Sequence, residues 1–194
     1  MKKILRKYIC INKLKIKKES KLNNQSNHNV LLNTEEINKR IIELGVYITA
    51  HYKDEAVTVL ALTNGALIFA ADLVRQIKCP IRLDTFAVAS YERRKSSGEL
   101  NLRGKPKLNV SGQHILIVDD ILDTGSTLHA VKNWLEEHNA ASINICVLLD
   151  KQVSKRKEEI SASWFGFKIP DVFVYGYGLD KDEFERNLPF IAQC

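Results

Sequence analysis

The sequence predicts an α/β fold in which a central parallel sheet is flanked by helices. Three apolar runs, at residues 57–62, 115–118 and 143–149, have the length and the lack of alternation that are typical of strands buried on both faces. Small polar residues follow the first two runs, and apolar residues at helical spacing follow those turns. The 194 residues suffice for one such domain with a substantial core.

Positive charge is concentrated at the N-terminus of the chain. The first 24 residues contain nine Lys or Arg and one acidic residue, whereas the remaining residues contain 20 basic and 22 acidic ones. We therefore predict a basic, disordered extension at residues 1–29 and a globular domain at residues 30–194. Because that domain is slightly acidic, its charge does not favour nucleic acid as a partner.

Cysteine spacing and hydropathy bear on where the protein works. The four cysteines are far apart and include no Cys-x-x-Cys pair, which favours a reducing, cytoplasmic location. Cys146 lies within an apolar run and is predicted to be a small core residue. No run approaches the ~20 apolar residues of a membrane-spanning helix. We therefore expect no membrane partner.

The first helix of the domain is predicted from its cap and its apolar stripe. Asn33 precedes Glu36 by three positions, which is the spacing of a capping box. The stripe that follows consists of Ile37, Ile41, Leu44, Ile48 and Tyr52. This pattern indicates packing rather than chemistry.

The strongest chemical signal is the turn that follows the run at residues 115–118. Asp119 and Asp120 end the strand, and Asp123 follows three residues later. Small residues then begin the next helix, namely Thr124, Gly125, Ser126 and Thr127. Backbone N–H groups and hydroxyls at a helix start form a cradle for phosphate. In an α/β sheet, ligands bind beyond the carboxyl ends of such strands.

The two acids need a different partner from the small residues. Asp119 and Asp120 cannot face a bare phosphate, because like charges repel, so they need hydroxyl donors or a hard cation. A sugar that carries a phosphate and vicinal hydroxyls satisfies both halves of the turn. A 5-phosphoribosyl group fits this description.

Three other interpretations of residues 119–123 are weaker. The pattern Asp-Asp-x-x-Asp also occurs in prenyl-diphosphate synthases, but there it lies on a long helix. A response-regulator receiver has a similar strand, but that strand opens its domain. A strand that ends in solvated acids before an ordinary helix cap is the third interpretation. The Gly-x-x-x-x-Gly-Lys-Ser/Thr loop of P-loop NTPases is absent from the sequence.

Two segments resemble a known family. Residues 115–127 resemble the PRPP (phosphoribosyl-diphosphate) motif of the type I phosphoribosyltransferases. Residues 169–180 read Ile-Pro-Asp-x-Phe-Val-x-Gly-Tyr-x-Leu-Asp, which resembles the 6-oxopurine branch of that family, the hypoxanthine(-guanine) phosphoribosyltransferases. The resemblance extends from about residue 31 to residue 191.

The resemblance implies both a fold and a reaction. The fold is the type I phosphoribosyltransferase fold, a parallel sheet flanked by helices with a small hood from the C-terminal segment. The reaction is purine salvage, in which 5-phosphoribosyl passes from PRPP to N9 of hypoxanthine, and of guanine, to give IMP or GMP and diphosphate. Mg²⁺ would be the cofactor, and a homo-oligomer, either a dimer or a tetramer, would be the assembly.

The resemblance also implies how the turn after residues 115–118 would bind PRPP. The 5′-phosphate would be held by Asp123, Thr124, Gly125, Ser126 and Thr127. Asp119 and Asp120 would hold the ribose hydroxyls, directly or through Mg²⁺. Asp123 would also act as the general base that takes the N7 proton of the purine.

Other segments would bind the diphosphate. The turn after residues 57–62 would contact it through an unusual backbone geometry, using Thr63, Asn64 and Gly65. Family members commonly carry Lys or Arg in place of Asn64. Ser90 and Tyr91 open a polar stretch that would close over the reaction centre as a lid. Arg186 would add a fixed positive charge.

The purine would be bound by residues near the C-terminus. Lys151 would donate to the exocyclic O6, Phe173 would stack on the ring, and the Val174 backbone would read the O6/N1 edge. Leu179 and Asp180 would complete the purine site. Asp180 would also join Asp119 and Asp120 as a ligand of Mg²⁺.

Two other classes of function remain open. One is a regulatory protein with the same fold that binds PRPP as an effector and also binds RNA or DNA. The other is a phosphoribosyltransferase for xanthine, adenine or a pyrimidine, which the pattern at residues 173–180 disfavours without excluding xanthine.

Overall fold

A computed structural model describes residues 28–87, 106–154, 156 and 159–194. The predicted extension at residues 1–29 therefore lies almost wholly outside the described residues, and the predicted lid residues Ser90 and Tyr91 lie outside them as well. The helices, in chain order, are α1 (Thr34–Tyr52), α2 (Leu67–Gln76) and α3 (Ser126–Glu137). The strands are β1 (Asn29–Leu32), β2 (Val57–Thr63), β3 (Ile81–Ala87), β4 (His114–Leu122), β5 (Ser142–Gln152), β6 (Trp164–Pro170), β7 (Val174–Tyr175) and β8 (Ile191–Gln193).

The central sheet has five parallel strands in the order β3-β2-β4-β5-β6, which confirms the predicted fold class. Its three middle strands are the three apolar runs of the sequence, and helices bury them on both faces. On one face α1 and α2 pack against the sheet, and on the other face α3 packs through Leu128, Val131 and Leu135. In the described part of the chain, no helix is long and apolar enough to cross a membrane.

Helix α1 begins as the sequence predicts. The Asn33 side chain accepts from the Glu36 backbone N–H at 3.0 Å, and the Glu36 carboxylate accepts from the Asn33 N–H at 2.8 Å. This capping box satisfies two donors that the helix itself leaves unpaired. Every residue of the predicted apolar stripe is buried.

Two strands are longer than their apolar runs. The sequence predicts that the strand ends at Asp119 and Asp120, but β4 continues through both acids to Leu122. Likewise β5 continues through Asp150 and Lys151. Parallel pairing explains both extensions, because Asp119 lies opposite Val147 in β5, and Lys151 lies opposite Ile169 in β6.

A second, antiparallel sheet forms the hood. Its strand order is β1-β8-β7, so the hood contains the first strand of the domain as well as C-terminal segments. The prediction that the hood comes from the C-terminal segment alone is therefore incomplete. Strands as short as β7 and β8 gain little from pairing with each other only, and β1 adds a third strand and the apolar side chain of Val30.

Candidate active site

The carboxyl ends of β2, β4 and β5 lie side by side and bring the predicted site segments together. The peptide bond between Thr63 and Asn64, at the end of β2, is cis. Gly65 lies directly against the Asp120 carboxylate of β4, so that a Cβ atom at position 65 would overlap this carboxylate. Only glycine allows the turn after β2 to approach the acids this closely.

A turn of the hood, the hood turn around Gly178, packs against the turn after β2. Gly178 has a φ of +101°, in the region that favours glycine, and a Cβ at this position would overlap the backbone oxygen of Gly65. The Gly-x-Gly segment of the sequence is therefore the point where the hood meets the turn after β2. Arg186 of the same turn lies near enough to the acids of β4 for its charge to act on Asp120.

Asp119 and Asp120 form a pair of neighbouring like charges, of which Asp119 is buried and Asp120 is partly buried. Asp119 is only 9% exposed. Burial raises the pKa of both carboxyls, and the charge of Asp120 raises the pKa of Asp119 further, whereas the charge of Arg186 opposes the rise at Asp120. Such a pair stays ionised when a cation or several hydroxyl donors are near it.

The turn from Asp123 to Gly125 leads into α3, which begins with Ser126 and Thr127. Gly125 is the N-cap residue with a φ of +85°, and no side chain makes a hydrogen bond to this cap. No acidic residue lies in the first turn of α3. The Thr124 hydroxyl lies 3.4 Å from that of Ser126. The first backbone N–H groups of α3 and neighbouring hydroxyls thus form an anion cradle, with the positive end of the helix dipole behind it.

Lys151 of β5 faces Asp123. Its Nζ lies 3.4 Å from Asp123 Oδ2 and 2.9 Å from Asp171 Oδ1. Burial alone would lower the pKa of Lys151, but the two carboxylates outweigh burial and raise it. The ammonium therefore stays charged. Sequence reasoning did not select Asp171 as a site residue, although it belongs to the Ile-Pro-Asp motif.

The other predicted purine residues belong to the segment that follows β6. Phe173 is 54% exposed, which is unusual for a large aromatic side chain and leaves its ring accessible. Val174 and Leu179 are buried. The backbone oxygen of Phe173 accepts from the Cys194 N–H at 3.1 Å, which ties this segment to the end of the chain.

Arg186 is bound within the hood turn. Its Nη2 donates to Asp180 Oδ1, and its Nη1 donates to the Gly178 carbonyl oxygen, each at 2.7 Å. The second carboxylate oxygen of Asp180 accepts from the Glu183 N–H at 3.1 Å. Among the described residues, no group of three or more His, Cys, Asp or Glu is placed to hold a metal. The structure therefore does not gather Asp180 with Asp119 and Asp120 into one cluster.

Tyr177 fastens the hood turn to α2. Its hydroxyl donates to the carboxylate of Asp72, which also pairs with Arg75. Burial and the neighbouring Asp72 raise the pKa of Tyr177, so the hydroxyl keeps its proton. This contact, which sequence reasoning missed, joins two elements that are 105 positions apart.

We expect Tyr177→Phe to lower the free energy of unfolding by about 1–2 kcal/mol, because it removes a hydrogen bond to a charged group that keeps a second partner. Thermal unfolding measures this loss as a shift of roughly 2–8 °C in Tm. The matched control is Tyr47→Phe, since Tyr47 is an exposed tyrosine on α1. Equal Tm values for the two variants would show that the Tyr177 hydroxyl does not stabilise the hood.

Comparison with known proteins agrees with this geometry. Residues 28–182 match the family model of the phosphoribosyl transferase domain. The chain is 42% identical over 164 residues to the hypoxanthine-guanine phosphoribosyltransferase of Bacillus subtilis, a match that covers 84% of this chain and 91% of the relative. It is 38% identical over 168 residues to the hypoxanthine phosphoribosyltransferase of Haemophilus influenzae, covering 84% and 93% of the two chains.

Solved structures agree as well. A crystal structure of a hypoxanthine phosphoribosyltransferase from Staphylococcus aureus aligns with a TM-score of 0.80 at 36% identity, covering 84% of this chain and 89% of that one. A hypoxanthine-guanine phosphoribosyltransferase from Bacillus anthracis aligns with a TM-score of 0.79 at 36% identity, covering 85% and 95%. These matches confirm the resemblance that the two sequence motifs indicate. The chain belongs to the phosphoribosyltransferase family, in the group of the hypoxanthine(-guanine) phosphoribosyltransferases.

Proposed function

We propose that this enzyme transfers the 5-phosphoribosyl group of PRPP to N9 of hypoxanthine, and of guanine, to give IMP or GMP and diphosphate. The observation that carries the proposal is the 3.4 Å distance between Lys151 Nζ and Asp123 Oδ2. At this distance, a donor suited to a purine oxygen lies beside a carboxylate suited to accept a purine proton. The anion cradle at the start of α3 adjoins that carboxylate.

The sugar phosphate would be bound at both of its ends. The N–H groups and hydroxyls at Thr124–Thr127 would bind the 5′-phosphate, and Asp119 and Asp120 would accept from the ribose hydroxyls. Both contacts are remote from the anomeric carbon, so their binding energy would position that carbon for attack.

The acids of β4 also suit Mg²⁺. This ion prefers oxygen ligands and is commonly held by one or two carboxylates together with substrate phosphates, so it needs no cluster of three side chains. Asp119 and Asp120 fit that requirement, because their burial as neighbouring carboxylates calls for a positive partner. Asp180 is the third proposed ligand, although Arg186 and the Glu183 N–H occupy its oxygens. When bound, Mg²⁺ would neutralise charge on the departing diphosphate.

The proposed reaction breaks the bond between the anomeric carbon and diphosphate ahead of forming the bond to N9. Asp123 would take the N7 proton as N9 becomes the nucleophile. The backbone of the turn Thr63, Asn64 and Gly65 would face the diphosphate, and Arg186 would supply the positive charge that Asn64 lacks. Ser90 and Tyr91 would close over the reaction centre and exclude water, which otherwise hydrolyses an activated sugar.

Lys151 would select the purine. Its ammonium donates to the O6 of hypoxanthine or guanine, whereas the 6-amino group of adenine is itself a donor and would leave a buried charge unpaired. Phe173 would stack on the ring, the Val174 backbone would read the O6/N1 edge, and Leu179 and the Asp180 backbone would complete the site toward the 2-position.

We expect Lys151→Ala to lower kcat/KM for hypoxanthine by about 10–100-fold, because a hydrogen bond from a charged donor is lost. The value for adenine should not fall, so discrimination between the bases should shrink. Steady-state rates with each base measure both effects. The control is Lys132→Ala, since Lys132 lies on α3 in an exposed ion pair with Glu136 at 3.3 Å. An unchanged preference over adenine would contradict the role given to Lys151.

Diphosphate release from PRPP and Mg²⁺, measured with hypoxanthine, guanine, xanthine and adenine in turn, tests the whole proposal. Release with the first two bases supports it. Xanthine is included because a relative from Tritrichomonas foetus, 35% identical to this chain, is named a hypoxanthine-guanine-xanthine phosphoribosyltransferase. PRPP binding without diphosphate release for any base would instead indicate a regulatory protein on the same fold.

Assembly and location complete the proposal. We expect a homo-oligomer, a dimer or a tetramer, by analogy with the family, and light scattering of the purified chain measures its mass. Nucleic acid is not expected as a partner, since residues 25–194 contain 20 basic and 22 acidic side chains. Cys79, Cys146 and Cys194 are free thiols, which suits the cytoplasmic location that the cysteine spacing favours.

A further inference from the structure

Two carboxylates hold the Lys151 ammonium at unequal distances. Asp171 Oδ1 is 2.9 Å from Nζ, and Asp123 Oδ2 is 3.4 Å from it. The Asp171 side chain is 60% exposed, whereas that of Lys151 is only 13% exposed. The closer partner of the ammonium is thus an acid at the protein surface rather than the candidate base.

The end of β6 fixes Asp171 in this position. Lys151 lies opposite Ile169, which is buried, and Gln152 lies opposite Pro170. The Val172 N–H donates to the Pro170 carbonyl oxygen at 2.9 Å, so the backbone turns tightly around Asp171. Because proline also restricts its own φ, the carboxylate is presented by a stiff segment.

We propose that Asp171 is a positioning residue that holds the Lys151 ammonium at the O6 side of the purine site and keeps it from closing onto Asp123. The inference rests on the proposed function, because it assigns Asp171 a role through the purine-reading lysine. Asp171 is not placed in contact with the reacting atoms.

The balance of charges around Lys151 supports this role. Among the described residues, the ammonium has hydrogen bonds or ion pairs with Asp123 and Asp171, and the Arg156 guanidinium donates to the Lys151 backbone oxygen. An opposite charge in contact with a base stabilises the ionised form of that base and weakens its affinity for a proton. Without Asp171, Asp123 would be the carboxylate left for Lys151 in this part of the chain. Lys151 would then be drawn away from the purine oxygen and toward Asp123. Its charge would weaken the affinity of the Asp123 carboxylate for the purine proton.

A double-mutant cycle tests the inference, using the full chain with Asp171→Ala, Lys151→Ala and the combined variant. We expect Asp171→Ala to lower kcat/KM for hypoxanthine about tenfold, which lies within the usual range of coupling between contacting residues. The KM for PRPP should stay unchanged, since Asp171 would act on the purine side only. In the Lys151→Ala background, loss of Asp171 should have no further effect.

Two variants control for other causes. Asp171→Glu keeps the charge and should recover part of the loss, and Asp54→Ala removes an exposed acid from another loop and should have no effect. Should Asp171→Ala lower the Tm, Asp171→Asn keeps the side-chain shape and replaces it in the cycle.

Each outcome decides the matter. The positioning role is overturned if the losses in kcat/KM of the two single variants multiply in the combined variant. An equal rise in the KM values for hypoxanthine and for PRPP also overturns it. In both cases the proposed function stands. Absence of transfer from PRPP to any purine by the wild-type chain overturns the proposed function, and this inference with it. The inference is supported if Asp171→Ala lowers kcat/KM for hypoxanthine when Lys151 is present and has no effect in the Lys151→Ala variant.

Discussion

Replacing Asp123 by Asn is expected to lower kcat by about 10²–10⁴-fold, the usual contribution of a general base. Asn keeps the shape of the side chain but cannot take the N7 proton. In the proposed site, backbone N–H groups and hydroxyls of the following turn bind the 5′-phosphate, and this change leaves them in place, so the KM for PRPP should change little. Steady-state kinetics with hypoxanthine, at saturating PRPP and Mg²⁺, measure both quantities.

The change at position 123 also removes a partner of Lys151, so the KM for hypoxanthine should be measured separately. The nearby Asp171 keeps the ammonium in place in this variant, because it is the closer acid. Asp54→Asn is the matched control, since it makes the same chemical change at an exposed position. A wild-type turnover in Asp123→Asn would refute the assignment of the base.

Gly65→Ala is expected to abolish most activity, with a loss of about 100-fold or more in kcat/KM. The added methyl group would overlap one oxygen of the Asp120 carboxylate, whose other oxygen accepts from the Ile121 N–H at 2.8 Å. Either the turn after β2 or the carboxylate must therefore move, and a displacement of about 1 Å in an active site can cost 10²-fold. Crowding of this kind also destabilises a protein by about 1–3 kcal/mol.

Gly112→Ala separates crowding in the site from a general loss of stability. Gly112 has a φ of +69°, which strains any other residue, but a Cβ atom there would have no neighbour within 4 Å. It should lower the Tm while leaving kcat/KM for hypoxanthine unchanged. If Gly65→Ala also kept its activity, the close approach of the turn to Asp120 would have no part in catalysis.

Much of the fold follows from patterns that are local in the sequence. The apolar run at residues 57–62, the Asn33 capping box and the stripe along α1 each depend on neighbours within a few positions, and the structure contains all of them. The identity of the fold as a phosphoribosyltransferase came from two motifs, at residues 115–127 and 169–180, whose spacing is specific to the family.

The limits of the strands could not be inferred in the same way. Aspartate disfavours strands, yet Asp119 lies within β4, because β5 supplies its ladder partner. Asp150 similarly lies within β5, where it pairs with the Arg156 side chain. The residues of β1 give no sign of their partner β8, which lies about 160 positions away. Tertiary pairing, rather than local propensity, determines these limits.

A site residue could be predicted where it belongs to a sequence motif. It could not be predicted where its role depends only on a contact with another element. The motif at residues 115–127 predicts Asp123, the position of Lys151 at the end of its strand predicts Lys151, and the structure places the two side chains 3.4 Å apart. The pairs formed by Lys151 with Asp171 and by Tyr177 with Asp72 join residues from different elements. Charged and tyrosine side chains have many possible partners, so sequence alone does not pair them.

The most direct test is the position of IMP in a crystal of this chain grown with that nucleotide. The 5′-phosphate should be bound by the N–H groups and hydroxyls at Thr124–Thr127. The ribose hydroxyls should lie within hydrogen-bond distance of Asp119 or Asp120, or of a Mg²⁺ ion held by them. A nucleotide bound elsewhere, with that turn empty, would contradict the account.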